Sequence, residues 1–137
     1  MTRPLIILLT AILLFTSCSR ESPTGPHWEE WIANVISVSM PDSVSIGVQF
    51  LVRIETVGMC DRIQPSRDVV KHIDGGYQIV PYDLHEVGGW IDVRGYQWCE
   101  HIIPLTVTTP SILRIDVKDR DWDGTITTIS NQIIILD

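Results

Sequence analysis

Residues 48–55 read Val48-Gln49-Phe50-Leu51-Val52-Arg53-Ile54-Glu55. Val48, Phe50, Val52 and Ile54 fall in one phase of a two-residue period; Gln49, Arg53 and Glu55 fall in the other. Side chains alternate across a pleated strand, so this is the pattern of a strand with one face on a core. The alternation recurs downstream. Leu113, Ile115 and Val117 alternate with Arg114, Asp116 and Lys118, and Ile103, Leu105 and Val107 with Pro104, Thr106 and Thr108. Of the 106 residues from Ile32 to Asp137, 37 are Val, Ile or Thr, and Ala33 is the sole alanine. β-branched side chains lose rotamer freedom in a helix and pack well on a sheet, which argues against a helical fold. Candidate strands span 33–39, 47–56, 68–73, 77–82, 101–108, 111–118 and 127–136. The run Ile133-Ile134-Ile135-Leu136 predicts burial on both faces of the last strand. Turn chemistry separates the strands at Pro41-Asp42-Ser43, Asp74-Gly75-Gly76, Gly88-Gly89, Thr109-Pro110-Ser111 and Asp123-Gly124. Seven short strands at this spacing predict an all-β fold, a single antiparallel β-sandwich.

The chain has 137 residues, enough for one such domain. Ten Lys+Arg against 17 Asp+Glu give a net charge of −7, which argues against a nucleic-acid partner. Ahead of the strands, Leu5–Phe15 is an apolar run of eleven residues behind Arg3. A spanning helix needs about 20 apolar residues, so the run reads as the core of a cleaved signal peptide. Residues 18–26 are polar and rich in Ser, Pro and Gly, the composition of a flexible linker. The chain thus divides into a signal at 1–17, a linker at 18–26 and a domain at 27–137.

Phe15-Thr16-Ser17-Cys18 resembles the lipobox of bacterial lipoproteins, with Phe15 where Leu is usual. The resemblance implies cleavage before Cys18, diacylglycerol on its thiol, and a further acyl chain, such as palmitate, on its amine. It implies a cell-envelope protein held to a membrane through Cys18. Ser19, in place of the Asp that retains such proteins at the inner membrane, implies the outer membrane. The pattern Pro41-Asp42-Ser43-Val44 followed by Gly47 resembles the first two strands of bacterial immunoglobulin-like domains, and implies an immunoglobulin-like sandwich. The wider layout is similar to uncharacterised small envelope lipoproteins, which imply no activity.

With Cys18 acylated, Cys60 and Cys99 remain. In an oxidising compartment they are expected to form a disulfide, closing a loop worth about 4 kcal/mol, the alternative being two separate thiols. Asp119-Arg120-Asp121-Trp122-Asp123-Gly124-Thr125-Ile126 matches the first eight positions of an EF-hand-like calcium loop. Alternate carboxylates converge on a hard cation, which makes Asp119, Asp121 and Asp123 candidate calcium ligands. Position twelve is Ser130 rather than Glu, and the competing reading is a plain acidic hairpin. His27, His72, His85 and His101 form no metal-binding spacing, and nucleophile and phosphate-loop motifs are absent, so no catalytic residue is assigned. Trp28 and Trp31 fit a staple at the start of the domain, or a position near the membrane. Trp90, Tyr96 and Trp98 cluster in sequence beyond Tyr82, in a stretch of 83–100 without clear strands. They fit either a core cap or an exposed surface for a sugar or an envelope protein.

Three functions follow in order. The first is a lipid-anchored, non-catalytic binding or structural module. The second is a calcium-dependent adhesin-like or carbohydrate-binding domain. The third is a small envelope hydrolase.

Overall fold

A computed structural model describes residues 25–59, 62–88 and 95–137. The expected signal, Cys18 and most of the expected linker lie outside the described residues, as do Cys60 and Trp90. The described chain is all-β, with nine strands: β1 (His27–Ile32), β2 (Val35–Ser39), β3 (Ser43–Ser45), β4 (Gln49–Met59), β5 (Ile63–Ile73), β6 (Gly76–Val87), β7 (Tyr96–Thr106), β8 (Ser111–Arg120) and β9 (Ile126–Leu136). They form a three-stranded sheet, β2-β4-β7, and a six-stranded sheet in which β5 joins the path β1-β6-β8-β9-β3.

The expected all-antiparallel arrangement is corrected, because the larger sheet is mixed. β3 runs parallel to β9 and β6 parallel to β8. The first parallel pair arises because the chain changes sheets. β2 pairs with β4, then Pro41-Asp42 carries the chain across, where Ile134 N donates to Asp42 O at 3.0 Å. Three residues of β3 then lie along β9 before Gly47, at φ 72°, turns into β4. The second parallel pair arises because two strands share one edge of β6. β8 occupies it from Gly76 to Ile79, and β1 from Tyr82 to Val87. Ala33, fully buried, closes the junction: its N donates to Pro81 O at 2.9 Å, and its O accepts from Arg120 N at 3.1 Å.

One core joins the inner faces of both sheets. Phe50, Val52, Ile54, Ile103 and Leu105 from the small sheet meet Ile79, Leu113, Ile115, Val117, Ile133 and Ile135 from the large one. Val48, in phase with this face, precedes the strand and is exposed. The last strand is not buried on both sides: Ile133 and Ile135 are buried, Ile134 and Leu136 about half exposed. The stretch 83–100 is not one long loop. β6 continues to Val87 and β7 begins at Tyr96.

Gly76 opens β6 where the Arg114 backbone passes closest. A Cβ there would collide with the Arg114 carbonyl oxygen, and no flexible side chain could yield instead. Gly76→Ala is expected to force β6 and β8 apart and to cost about 3 kcal/mol. Urea unfolding monitored by tryptophan fluorescence would show the loss; an unchanged midpoint would refute it.

Candidate functional site

Three strands that carry apolar side chains inward along most of their length switch to polar ones at a common end. Along β4 the inward series is Phe50, Val52, Ile54, Thr56. Along β7, read backward, it is Leu105, Ile103, His101, Cys99. Along β6 it is Ile79, Pro81, Asp83, His85. Register places Cys99 opposite Thr56 and His101 opposite Ile54. Thr56, Asp83 and His101 are at most 3 % exposed. Buried polar groups at this depth require partners, and here they find one another. Thr56 Oγ1 donates to Asp83 Oδ2 at 2.7 Å. His101 Nε2 contacts Asp83 Oδ1 at 2.8 Å, and Nδ1 contacts Asp68 Oδ1 of β5 at 2.8 Å. Ionised carboxylates only accept, so both ring nitrogens donate and the ring is an imidazolium. Burial alone would lower its pKa; the hydrogen bonds to Asp68 and Asp83 outweigh that and raise it to about 9. His101 belongs to the small sheet and both aspartates to the large one, so the network clamps one sheet to the other.

Cys99 lies two residues from His101 on the same strand face, a spacing that invites comparison with a thiol–imidazole–carboxylate triad. The chemistry does not follow. Burial and the Asp83 charge push the Cys99 thiol up to about 11, away from the nucleophilic thiolate. His101 has no free nitrogen to act as a base, and the Thr56 hydroxyl is closed onto Asp83. Cys99 is a free thiol in this structure. Its expected partner, Cys60, lies outside the described residues.

The same end is closed by the first strand. Trp31 stacks on His85 with ring centroids 4.4 Å apart, and the Arg120 guanidinium lies 4.7 Å from the centroid of the same indole. This is the staple expected of Trp31, whereas Trp28 is 45 % exposed.

Above the clamp lies an aromatic rim. Tyr96 and Trp98 sit in the outward phase of β7, and Trp122 at the tip of the β8–β9 hairpin; they are 56 %, 64 % and 54 % exposed. Tyr96 is in the middle, 6.5 Å from Trp98 and 6.4 Å from Trp122 between centroids, with its ring tilted 58° and 54° to theirs. The core-cap reading of Tyr96 and Trp98 is thereby corrected. Tyr82 does not join them, since it lies beneath the Arg67 guanidinium at 4.6 Å.

The acidic loop is what presents Trp122. β8 and β9 form an antiparallel hairpin closed by Asp121 N donating to Thr125 O and Gly124 N to Asp121 O, both at 2.8 Å. The candidate calcium ligands have separate tasks. Asp119 Oδ1 accepts from Val35 N at 2.8 Å, tying β2 to the hairpin. Asp121 Oδ1 accepts from Trp122 N at 2.7 Å. Asp123 Oδ1 accepts from Thr125 N at 2.8 Å, and this backbone bond holds its carboxyl below the usual carboxylate range. Ser130, at position twelve, donates to Asp116 far from the tip. No group of three or more acidic, His or Cys residues fit for a metal ion occurs among the described residues. Adding millimolar calcium, or chelator, is expected to leave the melting temperature unchanged; a rise of several degrees with calcium would support the metal reading instead.

The buried clamp was missed in the sequence because its members lie far apart. The available signal was polar residues in the inward phase of otherwise apolar strands. No family model, no curated protein and no solved structure matches this chain.

Proposed function

We propose that this chain is an exported, lipid-anchored protein whose immunoglobulin-like β-sandwich is a non-catalytic binding module of the cell envelope. The observation that carries the reading is the cluster of Tyr96, Trp98 and Trp122, each more than half exposed, with Tyr96 in ring contact with both tryptophans. Large exposed aromatics are costly to hydrate and supply contact area at low conformational entropy, which is why binding surfaces concentrate them. The strands beneath are held by the charged clamp, so the rim stands on a rigid base. Catalysis has little support, because the one buried titratable network described here has each of its donors engaged. The immunoglobulin-like reading rests on the change of sheet at Pro41-Asp42 and on two sheets around one core.

The anchor rests on Phe15-Thr16-Ser17-Cys18 and on the polar linker before His27. Cys18→Ala is expected to move the protein from the membrane to the soluble fraction while leaving the melting temperature of the β-domain unchanged. Retention of the variant in membranes after a high-salt wash would overturn the lipid anchor. A second acyl chain makes such attachment stable where one gives only marginal binding.

A further inference from the structure

The rim has a charge character and a shape that together narrow its ligand. This inference rests on the binding-module reading above. The chain satisfies two aromatic faces with its own cations: Arg67 lies over Tyr82 and Arg120 over Trp31. Among the described residues, no guanidinium or ammonium lies over Tyr96, Trp98 or Trp122. The carboxylates beside Trp122 are those of Asp121 and Asp123, both exposed, while Asp119 is turned to Val35 N and Arg120 is committed to Trp31. On β7, the Glu100 carboxylate is paired with Arg53 at 3.0 Å. Among the described residues the rim therefore combines exposed rings that carry no stacked cation with the exposed carboxylates of Asp121 and Asp123. Shape points the same way. Rings tilted by 54° and 58° do not form the flat platform on which successive sugar rings stack. They turn faces in different directions around Tyr96, which suits a compact cationic group approached from more than one side.

We propose that Tyr96, Trp98 and Trp122, with Asp121 and Asp123, form a docking site for a basic segment of a partner protein, whose arginine or lysine side chains lie against the rings. The net charge of −7 favours the encounter by steering a cationic partner. The rings supply the short-range selectivity, since charge alone would hold a basic peptide anywhere on an acidic surface.

The test uses the full-length protein in detergent and fluorescein-labelled hexa-arginine, read by anisotropy, with a neutral chitin hexasaccharide as unlabelled competitor and, separately, as ligand in calorimetry. Hexa-arginine is expected to bind. Trp122→Ala and Tyr96→Ala are each expected to weaken binding about tenfold. Trp28→Ala, which removes an exposed indole on β1, is expected to change nothing. Asp121→Asn with Asp123→Asn is expected to weaken binding several-fold and to flatten its salt dependence. Circular dichroism melts establish that each variant is folded, and the Asn pair, lying in an exposed turn, probes the site if a ring variant fails to fold. Binding that survives both ring variants would overturn the proposal, leaving diffuse charge attraction. Binding of the saccharide without the peptide, lost in Trp122→Ala, would overturn the cationic ligand and leave the binding module standing. Binding of neither probe would overturn both.

Discussion

Asp83→Ala is expected to destabilise the domain by about 3–5 kcal/mol, the range for removing one partner of a buried ion pair. Asp83 is fully buried and accepts from Thr56 Oγ1 and His101 Nε2. Without it His101 remains charged beneath the surface with Asp68 as its one carboxylate, and the Thr56 hydroxyl loses its acceptor. Thr56→Val removes a single donor and should cost about 1–2 kcal/mol. The double variant should lose less than the sum of the two, because once Asp83 is gone the hydroxyl has no acceptor to lose. Urea unfolding of the four proteins measures the cycle. Strict additivity would show that the two residues are not coupled, and a loss under 1 kcal/mol for Asp83→Ala would show that the clamp carries little of the stability.

The second large effect is on pH. His101 has its pKa raised from 6.5 to about 9. Between these values the folded protein binds a proton that the unfolded chain does not, so stability falls as pH rises. The contribution is fully present below pH 6.5 and is lost as pH passes about 9, a decline of about 3 kcal/mol in all. Cys99, pushed up to about 11 from 9, adds a further decline only above pH 9, so the window below that belongs to the histidine. Unfolding free energies at pH 6 and pH 9 should differ accordingly in the natural protein and much less in His101→Gln. A stability that is flat over this window would mean that the ring is not a charged clamp.

Strand positions were legible where alternation was uninterrupted. Phe50-Val52-Ile54, Ile103-Leu105 and Leu113-Ile115-Val117 point inward as their phase requires. Two strands escaped notice for different reasons. β1 reads His-Trp-Glu-Glu-Trp-Ile, almost wholly polar and aromatic, and gains its place from pairing with β6 rather than from an apolar face. β3 is three residues long and exists because β9 offers it an edge. Neither parallel pairing was legible, since both depend on where distant strands leave an edge vacant. The polar end escaped notice because Asp83, His85, Cys99 and His101 break the apolar pattern in the inward phase. An interruption that resembles a loop in one strand becomes a buried network once β4, β6 and β7 are aligned. The same alignment explains the rim: Tyr96 and Trp98 take the outward phase because Cys99 and His101 take the inward one.

The edge of β6 shared by β1 and β8 has a mechanical meaning. A load arriving through the residues before His27 reaches β1 first. The backbone of β1 is held to the rest of its sheet by its ladder to one strand, from His27↔Val87 to Ile32↔Tyr82, and Glu30 adds side-chain bonds to Ser66 and Arg67 of β5. Pulled away from the sheet, these rungs open in succession rather than together. Opening stops at Trp31, held by His85 and Arg120, and at Ala33, hydrogen-bonded to both Pro81 and Arg120. β1 is thus a tear strip with a stop at its end. It yields up to about 13 Å of slack, the four residues His27 to Glu30 at about 3.3 Å each, before any force reaches the clamp and the apolar core behind it.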